Sequence, residues 1–116
     1  MKQTQFKANI TAAGKYLPKK VLTNHDLETI VDTSDEWIQS RTGIRERRIV
    51  RNGEATAEMS TNAIRDLMKK QNLDPAEIDT IIVATITPDM MFPSSAALIQ
   101  KNINAKNEKV TENKVY

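Results

Sequence analysis

The chain has 116 residues, with 17 lysines and arginines against 15 aspartates and glutamates, for a formal net charge of +2. That is sequence for one domain, and the charge is too small to announce nucleic acid or a membrane surface as a partner. Cysteine is absent and His25 is the only histidine, so within this chain a disulfide framework, a thiolate or multi-histidine metal site and a cysteine nucleophile are excluded.

In chain order, ANITAAG (8–14) alternates Ile10 and Ala12 on one face and predicts a short strand, with Gly14 and Pro18 marking its exit. Thr23-Asn24 can cap a short helix with Leu27, Ile30 and Val31 on one face. Thr33-Ser34-Asp35-Glu36 reads as a capping box with Thr33 at the N-cap, opening a helix that carries Trp37 and Ile38 and ends at Gly43. IRERRIV (44–50) predicts a strand, and Arg51-Asn52-Gly53 a turn. Thr56 can cap the longest helix, about 57–71, whose stripe is Met59, Ala63 and Leu67 widened by Ile64 and Met68. Asp74-Pro75-Ala76-Glu77 is a second helix-start signature. DTIIVATIT (79–87) is a β-branched run of the kind found in strands buried on both faces, and Pro88 stops it. After Phe92-Pro93, SSAALIQKNI predicts a helix. The alternation implies an α/β layered fold. EKVTENKVY (108–116) lacks an amphipathic period and reads as a frayed tail. The longest apolar run, 81–84, is too short to span a bilayer, and MKQTQFKANI carries no secretory pattern, so a cytoplasmic location is expected.

Four groups of residues bear on chemistry. Arg41, Arg45, Arg47, Arg48 and Arg51 suit phosphate oxygens, or are a solvated strand edge that deters aggregation. Trp37 lies one turn before Arg41, so the pair could stack a base and hold its phosphate, or Trp37 could anchor a small helix to the core. His25 with Asp26 and Glu28 is explained by a capped helix start. Met90, Met91 and Phe92 make an apolar loop after the 79–87 strand, where α/β sheets collect ligands or partners. Three scattered glycines and the lack of a G-x-S-x-G elbow give no support to a nucleotide fingerprint or a hydrolase triad.

DTSDEWIQSRTGIRERRI (32–49) resembles the signature region of the β-ketoacyl-acyl carrier protein synthase III family, which starts bacterial type II fatty acid synthesis. YLPKKVLTNHDL (16–27) and IIVATITPDMMFPSSAALIQ (81–100) agree with it in order and spacing, and the resemblance runs from about Ala8 to Asn107. It implies a partial thiolase-like α/β fold, the first part of the N-terminal half of a five-layered αβαβα sandwich. It also implies a homodimer in which a cysteine, acylated by an acyl-coenzyme A, condenses with malonyl-acyl carrier protein with help from a histidine and an asparagine. Carried over by position, Thr33, Trp37, Arg41 and Thr42 would contact coenzyme A, with Trp37 on the adenine, and Phe92 would reach the partner subunit's acyl pocket. No cofactor beyond the substrate's own thioester, no metal, no nucleic acid and no membrane are implied.

Past Asn107 the family continues into an apolar strand and the cysteine, whereas this chain reads EKVTENKVY. The catalytic cysteine, histidine and asparagine all lack counterparts here, and His25 sits in the wrong region. The expectation is therefore an N-terminal fragment, with 1–107 an incomplete thiolase-like domain and 108–116 a divergent, disordered tail. Such a chain is inactive in acyl transfer by itself. The alternatives are a non-catalytic coenzyme A-binding or dimerising module, a fragment of another thiolase-fold condensing enzyme, and an arginine-rich nucleic-acid binder.

Overall fold

The computed structural model describes residues 7–106 and the strand at 109–114. A first assembly is built from β1 (Lys20–Thr23), α1 (Asn24–Glu28), α2 (Asp35–Thr42) and β2 (Glu46–Ile49). β1 and β2 pair antiparallel, from Lys20 against Ile49 to Thr23 against Glu46. Thr23 ends the strand and caps α1: its Oγ1 accepts from Asp26 N at 3.1 Å, and Asp26 Oδ2 accepts from Thr23 N at 2.8 Å. Leu27 is half-buried, but Ile30 and Val31 are exposed, so the apolar face expected there is not used as a core face.

The second assembly holds α3 (Thr56–Gln71), a 3₁₀ turn at Pro75–Glu77, β3 (Thr80–Thr85), α4 (Ser95–Ile103) and β4 (Lys109–Lys114). Its core is Ala57, Ile81, Val83, Ala96, Ile99, Ile103 and Ala105, with Ile64, Ile78 and Leu98 packed against it. β3 buries only one face. Ile81 and Val83 point into the core, while Ile82 is 64% and Ile86 74% exposed, so the expected two-sided burial is met on one side. Lys109–Lys114 pair with β3 in parallel, Thr80 against Lys109 through Thr85 against Lys114. This part of the expected frayed tail is a strand, because an unpaired β3 edge satisfies its backbone groups with any extended chain, polar or not. Residues 108, 115 and 116 of that tail lie outside the described residues.

Two further expectations are corrected. Thr56 does not cap α3. The N-cap is Ala55, which has no side-chain acceptor, and Asp89, far along the chain, supplies one instead: both its carboxylate oxygens accept from Ala57 N, at 3.1 and 2.9 Å. Ser95 Oγ donates to the same carboxylate at 2.8 Å, which joins the starts of α3 and α4. The segment 8–14 is not a strand, since it lacks a ladder partner among the described residues. It runs over α3 instead, and Gly14 lies so close that a Cβ there would sit 2.2 Å from Ala63 O and 2.6 Å from Leu67 Cβ. The α3 stripe is thus divided, with Ile64 turned to the core and Ala63 and Leu67 under the Gly14 backbone.

Gly14→Ala is expected to destabilise the chain by about 1–3 kcal/mol, as overpacking against fixed backbone does. Gly43→Ala, at φ 71° with open space around it, is expected to cost only about 1 kcal/mol, from left-handed backbone strain. Urea unfolding of the two variants beside the parent chain measures the difference, and equal losses would show that Gly14 is not held against α3.

Candidate functional site

α2 carries the residues singled out by the sequence. It starts one residue later than expected: Ser34, not Thr33, is the N-cap, and its Oγ accepts from Trp37 N at 3.1 Å. Gly43 closes the helix in the left-handed conformation, as expected, with its N–H on Gln39 O at 2.8 Å. Only Ile38 is buried along these eight residues. A helix with one buried side chain has no apolar stripe to fix its rotation, so polar bonds set its place. Asn24, 1% exposed, supplies most of them. Its Nδ2 donates to Asp35 Oδ1 at 2.8 Å and to Ile44 O at 2.7 Å, its Oδ1 accepts from Arg47 Nη2 at 2.8 Å, and its N–H bonds Arg45 O at 3.1 Å. Both ends of α2 are thereby tied to one side chain.

Asp35 also accepts from Gln39 Nε2 at 2.6 Å, and its N–H donates to Glu28 Oε1 at 2.7 Å. The bonds from Asn24 and Gln39 hold the Asp35 carboxyl below the usual aspartate range. The Asp35 N–H, then His25, do the same for Glu28, and Glu28 in turn raises His25. His25 thus belongs to a structural pairing, as the capped-helix reading has it.

The result is an outward-facing surface. Trp37 is 57% exposed, and together with Asp32, Thr33 and Ser34 it lines a depression of about 350 Å³. Arg41 follows in the last turn, exposed. The arginine cluster separates by role. Arg47 serves Asn24, Arg48 donates to Pro18 O and Glu46, and Arg51 is bonded to Glu58. The guanidinium groups of Arg41 and Arg45 have no hydrogen-bond or ion-pair partner among the described residues. Thr42 is engaged locally: its hydroxyl donates to Ile38 O at 2.7 Å and accepts from Ile44 N at 3.1 Å, leaving one lone pair and no free hydrogen.

Phe92 lies elsewhere, 88% exposed in the loop between β3 and α4, with Met91 also exposed. Asp89 pins the start of that loop through Ala57 N and Ser95. A separate cavity of about 400 Å³ between the β1–β2 pair and α3 is lined by Lys19, Lys20, Arg51, Glu54 and Tyr16 among others, with Tyr16 OH bonded to Glu54. Among the described residues there is no group of three or more histidines, cysteines and carboxylates that could hold a metal, and no helix is long and apolar enough to cross a membrane.

Comparison with known proteins bears on this surface. Over 103 residues the chain is 56% identical to β-ketoacyl-[acyl-carrier-protein] synthase III of Chlorobaculum tepidum, covering 88% of this chain and 31% of the relative. The crystal structure of 3-oxoacyl-[acyl-carrier-protein] synthase III from Aquifex aeolicus superposes with a TM-score of 0.84 at 50% identity, over 90% of this chain and 33% of that one. In sequence and in fold the chain matches part of the β-ketoacyl-[acyl-carrier-protein] synthase III enzymes. The synthase III structure from Thermus thermophilus agrees, with a TM-score of 0.86 at 41% identity over 93% of this chain and 33% of its own. No protein-family model matches. The chain spans about a third of the length of the synthases it matches, and its α/β arrangement is a partial thiolase-like fold. Asp89 went unread in the sequence, and Asn24 was read only as part of a helix cap. The signal for Asn24 was an asparagine in the first turn of a helix already capped by Thr23.

The depressed Asp35 and Glu28 carboxyls make the synthase III signature acid-sensitive. Their folded pKa values lie below the unfolded ones, so the stability they contribute is full above the unfolded carboxylate range and is lost as pH falls through the folded values. An acid titration is expected to move Trp37 fluorescence below the ordinary aspartate range, and Asp35→Asn is expected to flatten that transition. An unchanged profile in Asp35→Asn would exclude this carboxyl as its source.

Proposed function

We propose that residues 1–107 are part of the N-terminal domain of a β-ketoacyl-[acyl-carrier-protein] synthase III and contribute part of its coenzyme A-recognition surface. The intact enzyme joins an acyl-coenzyme A primer to malonyl-acyl carrier protein as a homodimer, without a cofactor other than the thioester itself. One observation supports this reading most: α2 offers an exposed indole and, one turn on, a guanidinium free of any partner among the described residues. Flat aromatic surface suits the adenine, and the guanidinium suits the phosphates. Thr33 lines the depression beside Trp37. Thr42 has given its hydroxyl hydrogen to Ile38 O and can only accept from the ligand, which makes it the weakest member of the set. Phe92, exposed in its loop, would be the residue that enters a partner subunit's acyl pocket.

Chemistry needs groups that this sequence does not contain. With no cysteine in the chain, exposure to radiolabelled acetyl-coenzyme A is expected to leave no label on the protein after denaturing gel electrophoresis, and a stable labelled band would refute the assignment of the nucleophile to another part of the enzyme. Calorimetry with coenzyme A tests the surface itself. The chain is expected to bind, and Trp37→Ala to weaken binding by about 1–3 kcal/mol, the range for loss of one aromatic stacking platform. Unchanged affinity in Trp37→Ala would remove the adenine assignment.

A further inference from the structure

We infer that Asn24 is the positioning residue of this surface, fixing the rotation of α2 so that Trp37 and Arg41 face the same ligand. The inference rests on the coenzyme A reading above and adds a residue that touches no ligand. Three observations carry it. First, α2 buries only Ile38, so apolar packing leaves its rotation open. Second, the Asn24 amide makes three hydrogen bonds from a 1% exposed position, to Asp35 in the first turn of α2, to Ile44 just beyond its end, and to Arg47 on β2. Third, these partners bracket Trp37 and Arg41 in sequence, so any turn of α2 about its axis breaks a bond at one end. A buried amide that loses a partner costs more than the bond is worth, and so the network permits one arrangement rather than several.

Removing the amide should therefore disturb α2 while sparing α3, which is held by Asp89 and an apolar core. In Asn24→Ala, amide exchange at residues 35–42 is expected to accelerate selectively, and coenzyme A affinity to fall about tenfold, the worth of one or two buried hydrogen bonds. Asn24→Asp keeps the acceptor for Arg47 but sets a second carboxylate against Asp35, and it reads the same loss should the alanine variant melt. The double change Asn24→Asp with Asp35→Asn restores a donor and acceptor between the two positions and is expected to recover much of the affinity. Trp37→Ala serves as the reference. If it binds coenzyme A as tightly as the parent chain, the coenzyme A reading fails, and exchange in α2 still judges Asn24. If Trp37→Ala weakens binding while both Asn24 variants bind and exchange like the parent, the positioning role is overturned. Uniform acceleration of exchange in α2 and α3 overturns it as well, since it marks Asn24 as a general stability residue.

Discussion

A helix that buries one side chain cannot orient itself by hydrophobic burial, and the signature region of this chain is built on such a helix. Burying Ile38 is worth about 2 kcal/mol and has little directional content. The direction comes from the buried amide of Asn24, whose partners lie in the first turn of the helix, just past its end and on β2. Each of these bonds contributes only about 1 kcal/mol net, but an orphaned buried amide costs more, so the network acts as a selector of geometry rather than as bulk stabilisation. The consequence is an exposed Trp37 and Arg41, residues that a more amphipathic helix would have drawn toward a core.

The same economy is seen in the other assembly. α3 begins without a cap of its own, and the Asp89 carboxylate fills that place while holding Ser95 at the start of α4. One side chain thus answers one of the unpaired N–H groups of α3 and fixes the base of the loop that displays Phe92. Beneath it, β3 packs Ile81 and Val83 onto α3 and α4 and turns Ile82 and Ile86 outward. In a layered sandwich such a face is where a further layer rests, in keeping with relatives three times the length of this chain.

Most local signals were read well where the chain supplies its own partner. The capping of α1 by Thr23, the left-handed close at Gly43 and the capped turn at Asp74–Glu77 all follow from residues within four positions of each other. Readings that needed a distant partner went astray. Segment 8–14 has strand composition but no ladder, and its glycine serves close approach to α3. The 109–114 stretch has tail composition but is paired along the β3 edge. The N-cap of α2 moved from Thr33 to Ser34, a competition between adjacent hydroxyls that sequence spacing cannot resolve. The arginine cluster was legible as a cluster, but which of its members are consumed by the fold was not.

The sequence by itself determined the resemblance to synthase III, through several blocks in register, and the absence of a thiol nucleophile from this chain, through composition. It also determined that Trp37 and Arg41 share a helix face, because that depends only on helical period. The tertiary structure alone decided that this face is turned outward, that the guanidinium groups of Arg41 and Arg45 are left free of partners among the described residues while those of Arg47, Arg48 and Arg51 are not, and that Asn24 holds α2 and Asp89 the loop before α4. The reason is physical. Periodicity and capping are settled within a turn or two of chain, whereas the partner of a buried polar group is chosen by whatever distant segment the fold brings to it.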